Sequence, residues 1–350
     1  MTHRFHFSVI ALAVAFAVVL PGLAFGQAAS TAAKAPAAKA PAVKAWTLGR
    51  TPDGQPDLQG YWTNTSYVAL ERPANVNKEF YSQAEYIESV KRNAAREEEQ
   101  TTPGTTADVH YDFTQFGLDR HQSTRPSDLR TSFIVDPEDG RIPAMTAEGR
   151  KRQQDRQAAQ RVPGGQYDSV QNVAVGTRCI IQGAGPPMLP QGYNSNYQIV
   201  QGPGYVMILV EMISDVRIIP TDGRPHVPSA VRQYMGDSRG HWEGDTLVVE
   251  TSNFNFRAGN ANLRGVTDDF KLIERFKRTD ENTLSYEFTV NDPATFTKPW
   301  TAQLPFAKIN GPIFEMACHE GNYGLRNILS GARADEKKAA EAASKRSQQE

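Results

Sequence analysis

The sequence predicts a mainly β protein with peripheral helices: an antiparallel, up-and-down, lipocalin-like β-barrel wrapped by an irregular and helical N-terminal half. Three observations lead there. From about Tyr193 short apolar runs follow one another, "NYQIV", "YVMILVEM", "DVRIIP", "TLVVET", "FKLIERFKR", "TLSYEFTV", "TAQLPFAKI" and "IFEMACHE". Several alternate apolar and polar residues, the period of a half-buried strand. Turn signals separate them, at Pro203-Gly204, Asp222-Gly223, Gly244-Asp245, Thr279 to Asn282 and Gly311-Pro312, and such short connections imply antiparallel neighbours. Finally, about eight strands in a meander leave costly open edges unless the sheet closes on itself. A flat sheet or a sandwich is the alternative.

Taken in order, the 350-residue chain opens with a basic Arg4 and the apolar run "FSVIALAVAFAVVLPGLAFG". Small residues at Ala24 and Gly26 fit a signal-peptidase site, so residues 1–26 read as a signal peptide and the mature protein as periplasmic or secreted. No later run is long enough to span a bilayer as a helix. Residues 27–45 are Ala/Pro/Lys-rich, a composition that buries no core and reads as a linker. Residues 46–165 form the wrapping segment. Its first part, "WTLGRTPDGQPDLQGYWTNTSYVALERP", is rich in Gly, Pro, Asp and Asn, with Trp46, Leu58, Tyr61 and Trp62 as apolar anchors. Ser82 and Glu85 form a capping box ahead of one helix, "TSFIVDPEDGRIP" reads as strand, turn, strand, and "TAEGRKRQQDRQAAQ" as a second, solvated helix. Residues 166–331 hold the barrel-like domain, and 332–350 read as a charged flexible tail.

The net charge of -1 gives no electrostatic reason to expect nucleic acid. The 2 cysteines, Cys179 and Cys318, lie in an exported chain, where thiols tend to pair, and a disulfide between them is expected. No Walker loop and no strand-associated G-x-G-x-x-G is present, so no nucleotide cofactor is expected. The His residues include no H-E-x-x-H. His110, Asp112 and His121 have ligand chemistry but a spacing that selects no geometry, so no metal is expected.

Gly236-Asp237-Ser238-Arg239-Gly240 spells G-x-S-x-G, the nucleophile elbow of serine hydrolases. An elbow needs a following helix to lift the Ser and supply the oxyanion hole. Here "RGHWEGDTLVVET" follows, a turn and a β-branched run, so Ser238 reads as a decoy.

The chemistry-bearing residues concentrate in "RIIPTDGRPH" and the block after it. His226 and His241, each with a carboxylate such as Asp222 or Asp237 nearby, suit proton transfer near neutral pH. Arg224 or Arg239 suits a substrate carboxylate or a developing oxyanion, and Trp242 lies beside them. Glu211 shares its phase with Tyr205, Met207 and Leu209, so it is expected to be buried, and Arg217 across the hairpin is its expected partner. His319, in "CHEGNYGLRN", ends the last expected strand. A Cys179–Cys318 bridge draws Tyr193, Asn194 and Asn196 towards that end, as a binding rim. For each cluster the ordinary alternative is a set of salt bridges or turn caps with no chemistry.

The blocks "WTLGRTPDGQPDLQGYW", "SFIVDPEDGRIP", "RIIPTDGRPH", "GDSRGHWEGDTLVVET", "EFTVNDPATFTKPW" and "CHEGNYGL" together resemble a large family of secreted proteins from environmental bacteria. Thr221 stands where the family pattern has Leu. The resemblance implies export and a β-barrel-like body, and transfers no activity. Two readings of function follow from the residues. One is a cofactor-independent acid/base enzyme, a lyase or hydrolase of a small organic substrate. The other is a non-catalytic periplasmic ligand-binding or envelope protein.

Overall fold

The computed structural model describes residues 46–98, 128–161, 165–182, 185–191, 193–255, 263, 266, 267 and 269–348. Residues 1–45, where the signal peptide and linker are expected, lie outside these, as do His110, Asp112 and His121. The strands are β1 (Gly60–Thr63), β2 (Ile134–Asp136), β3 (Asn196–Gly202), β4 (Tyr205–Val210), β5 (Val216–Pro220), β6 (Asp237–Glu243), β7 (Thr246–Ser252), β8 (Lys271–Arg278), β9 (Thr283–Asn291) and β10 (Trp300–Ile309). The helices are α1 (Gln83–Glu98), α2 (Ala147–Arg161) and α3 (Tyr323–Ser347).

All ten strands join one antiparallel sheet in the order β5-β4-β3-β1-β10-β9-β8-β7-β6, with β2 paired to β10. The β-rich expectation holds. The closed lipocalin-like barrel does not: among the described residues no ladder joins β5 to β6. These strands are linked by residues 221–236, which carry Pro225 and Pro228 and make no tight hairpin, and β5 ends at Pro220, which has no N–H to donate. The sheet nevertheless curls until its two ends meet. Arg217 of β5 reaches Ser238 of β6, and a Cβ on Gly240 would lie 2.9 Å from Ile219 Cγ2.

The inward phase of the strands is the core. Trp62, Tyr197, Phe276, Tyr286, Phe288, Trp300 and Phe306 are fully buried. Tyr286 lies 5.0 Å from Phe276, 5.7 Å from Phe288 and 5.3 Å from Phe306 between ring centroids. Rings at these spacings pack as aromatic pairs do, so the space inside the curl is filled by side chains.

Two elements differ from the sequence expectation for local reasons. β1 is central, paired to both β3 and β10, yet its four residues are too few to show alternation between flanking turn residues. "IFEMACHE" makes no strand. Its amides go to side chains instead: Phe314 N–H donates to Glu211 Oε1 at 2.9 Å and Met316 N–H to Ser214 Oγ at 3.0 Å. The segment is thus a strap over the β4–β5 turn, where Ile213 and Ser214 hold left-handed φ values of 63° and 55°. That conformation is unfavourable for a β-branched residue.

The peripheral helices follow their sequence signals. Glu85 caps α1 by accepting the Ser82 N–H at 2.8 Å, and Lys78, then Ser82, hold its carboxyl down at about 2. α2 forms where the solvated helix is expected. The charged stretch from Ala332 continues α3 to Ser347 rather than forming a tail, and no residue of α3 is buried.

Cys179 and Cys318 form the expected disulfide, across a sequence separation of 139. Chain entropy assigns a loop of that length about 5 kcal/mol. Cys179→Ser/Cys318→Ser is expected to lose most of that in urea unfolding of the oxidised protein. An unchanged midpoint would show that the unfolded chain is already constrained without the bridge.

Candidate functional site

The most deeply buried ionic group is a network across the open seam. Arg217 and Glu274 have side chains only 4% and 0% exposed and form a bidentate pair. Arg217 Nη1 donates to Glu274 Oε1 at 2.9 Å and Nη2 to both Glu274 Oε2 and Thr251 Oγ1, the latter at 2.8 Å. Its Nε donates to Ser238 Oγ at 3.0 Å. Tyr286 donates to Glu274 Oε1 at 2.8 Å and accepts the Met188 N–H at 3.0 Å. Burial first, and then the Glu274 charge, push the Tyr286 phenol well above its usual range, so it is a permanent donor. β5, β6, β7, β8 and β9 are therefore tied by one guanidinium and one carboxylate.

This corrects the expected Arg217–Glu211 pair. Arg217 is opposite Ile208 and points inward, whereas Glu211 lies beyond the end of β4, where the backbone turns helical. Glu211 is buried under the strap, 4% exposed. It accepts Asn196 Nδ2 at 2.5 Å and the Phe314 N–H at 2.9 Å. Asn196 thus belongs to a structural clasp. Asn194 is a left-handed turn residue before β3, with φ 52°, and Tyr193 packs against the core.

Ser238 is buried and points into the seam network. The motif's glycines have equally structural reasons. Gly236 enters β6 at φ +70°, where a Cβ would also lie 2.7 Å from Ser252 O, and Gly240 is where β5 comes closest. The G-x-S-x-G block therefore encodes a seam.

On the outward face of β6, His226 Nδ1 lies 2.8 Å from Asp237 Oδ2. Asp237 also accepts the Val227 N–H at 3.0 Å and pairs with Arg239 at 2.7 Å. This carboxylate–imidazole dyad is the arrangement the sequence pointed to. The other ring nitrogen, however, faces Glu250 Oε1 at 3.5 Å, and Arg239 also donates to the Pro225 and Ser238 carbonyls. The ring is partly exposed on the Nε2 side, where Glu250 is itself open to solvent.

The remaining candidates do not join the dyad. His241 contacts Glu243 at 3.1 Å on the exposed face, and Glu243 is held low first by Arg275 and then by His241. Trp242 packs inward against the core. Asp222 and Arg224 close on each other in an exposed turn, holding the Asp222 carboxyl at about 2. His319 is exposed beside the disulfide. Among the described residues no three His, Cys, Asp or Glu side chains converge as a metal-ligand set.

A cleft of about 510 Å³ lies elsewhere, between residues 168–170 and the first turns of α3. Val170, Leu325 and Leu329 form its apolar lining, with Asp168, Asn322, Arg326 and Arg333 around them. Asn322 caps α3 by accepting the Leu325 N–H at 3.3 Å, and it donates to Thr177 O at 3.1 Å. Arg333 donates to Asp168 O at 2.8 Å and Tyr167 O at 3.2 Å. Asn322 Nδ2 also lies 3.3 Å from Cys179 Sγ of the disulfide. Sequence reasoning missed this cleft because its apolar side chains, four apart on a helix, look like ordinary packing. It also missed Glu274, although Glu274 falls in phase with Leu272 and Phe276.

Comparison of the chain with models of protein families, with curated proteins and with solved structures gives no match.

Two stability measurements check this geometry. Glu274→Gln leaves Arg217 buried without its counter-charge and is expected to cost about 3–5 kcal/mol in urea unfolding. Arg217→Met/Glu274→Leu is expected to recover most of that loss, and a single-variant cost no larger than a surface pair's would contradict the network. Separately, burial without a cation raises half-buried Asp215 from 3.8 to about 6. The folded state then binds the proton more tightly, so this group's contribution to stability is full below about pH 4 and lost as pH rises through 6. Asp215→Asn is expected to flatten the melting temperature across that window; an unchanged slope would assign it to other groups.

Proposed function

We propose that the mature chain is an exported, non-catalytic ligand-binding protein. The observation that carries this reading is the separation of the ionisable clusters. The seam network, the Glu211 clasp, the His226–Asp237 dyad and the His241–Glu243 pair are each satisfied by their own partners, and none lines the cleft at α3. An acid/base site needs its groups turned towards one concavity. The aromatic filling of the sheet argues against a ligand inside the curl and favours one on its outside.

Export is supported by the apolar N-terminal run followed by the Ala/Pro/Lys linker, by the likeness of the motif blocks to secreted bacterial proteins, and by the disulfide, which persists in oxidising compartments. The enzyme reading keeps one observation in its favour, the imidazole of His226 oriented by a buried carboxylate. Against it stands Glu250 on the other nitrogen.

Native mass spectrometry of the protein purified from periplasm tests the proposal. A co-purifying small molecule is expected, retained equally by wild type and by His226→Ala/His241→Ala. A turnover that disappears with His226→Ala would overturn the non-catalytic reading.

A further inference from the structure

The cleft at α3 has a chemistry that selects its ligand. We infer that it binds a small amphipathic carboxylate, with the apolar body against Val170, Leu325 and Leu329 and the anionic head on Arg326. The inference rests on the reading of the protein as a binding protein and names the class of ligand.

Size and walls come first. The cleft is a shallow groove, largely open to solvent, of about 510 Å³, room for a small ligand that stays partly exposed. At its edge, Cys179 Sγ of the Cys179–Cys318 disulfide lies 3.3 Å from Asn322 Nδ2, so the bridge ties the segment leading into α3 to the body. The groove's two walls are also joined by Asn322 on Thr177 and by Arg333 on the Tyr167 and Asp168 carbonyls. α3 has no buried residue, so these links hold it against the body in place of a packed interface. They fix the cleft's width before a ligand arrives, which lowers the ordering cost of binding.

Charge comes second. Arg333 is answered by Glu336, with Nη2 at 2.5 Å from Oε1, and the Asp168 charge acts on Arg333 as well. Arg326 is exposed at the groove and makes no ion pair or side-chain hydrogen bond with any described residue, although the Asp168 carboxylate lines the groove as well. Arg326 also stands in the first turns of a helix that begins at Tyr323, where the helix dipole disfavours a cation. An anion beside it gains a charge-assisted contact with the guanidinium. The apolar side chains beside it exclude a bare inorganic anion as the best fit, because they would gain nothing from it.

Calorimetric titration of the oxidised protein with octanoate, octanol and octylammonium tests this. Octanoate is expected to bind saturably at one site and at least about tenfold more tightly than octanol or octylammonium. Arg326→Gln is expected to reduce octanoate affinity about tenfold, the scale of one charge-assisted contact, while leaving octanol unchanged. Leu329→Trp and, on the opposite wall, Val170→Trp fill the cleft and are expected to abolish octanoate binding. Circular dichroism melts verify that each variant is folded.

Equal affinity for the three probes, or octanoate binding indifferent to both Trp variants, would overturn the inference and leave the binding reading to another surface. Recovery of the octanoate chemically altered would instead overturn the non-catalytic reading.

Discussion

The structure depends on how a sheet with two free ends is kept curled. A ladder would do this in a barrel, but none joins β5 to β6. In its place one guanidinium in β5 bonds to Ser238 of β6, Thr251 of β7 and Glu274 of β8. Buried ion pairs are a weak source of net stability, because desolvation offsets their attraction. Their stronger effect here is on register. A one-residue slip of β5 would turn Arg217 to solvent and bring Ile218 inside, leaving Glu274 buried beside the Tyr286 hydroxyl without its cation. The apolar core favours collapse in general; the ion pair makes one alignment of the ends much better than its neighbours.

The outer layer is organised as local closures on that frame. The strap over the β4–β5 turn stands on Glu211, whose carboxylate replaces the strand partner that the Phe314 amide lacks. It also covers the left-handed Ile213 and Ser214, so the docking contacts and the strained turn stabilise each other. The 221–236 connection is pinned by Asp237, which accepts from His226, Val227 and Arg239. Residues that look catalytic when read along the chain thus serve where long connections must be fastened to an edge strand. A cleft lies where α3 meets residues 168–170, away from all of these closures.

Much of the fold was legible in the sequence. Alternation located β3, β4, β5 and β7 to β10, the capping box located α1, and compartment logic located the disulfide. What failed was what a period-two pattern cannot carry. β1 is too short to alternate, and β6 was hidden because Gly240, Asp237 and Arg239 look like a loop until β5 is known to lie against Gly240. Closure was inferred from the general cost of open edges, but that cost is also met by side chains that reach across a seam. The Arg217–Glu211 pairing failed because β4 ends at Val210 and the chain turns at Glu211, while the β4–β5 register sets Arg217 inward opposite Ile208. Glu274, inward between Leu272 and Phe276, was the readable alternative. The site was less legible than the fold, because the spacing of His and Asp along a chain does not reveal which of them already hold each other.

Amide hydrogen exchange, followed by peptide in wild type and Arg217→Met, tests the central claim most directly. If the guanidinium holds the seam, protection falls selectively in β5 and in the Asp237–Gly240 part of β6, while the interior strands β9 and β10 exchange as before. Unchanged protection in β5 and β6, or an even loss across all strands, would show that the curl is set by the core alone and that the ion pair is a passenger in it.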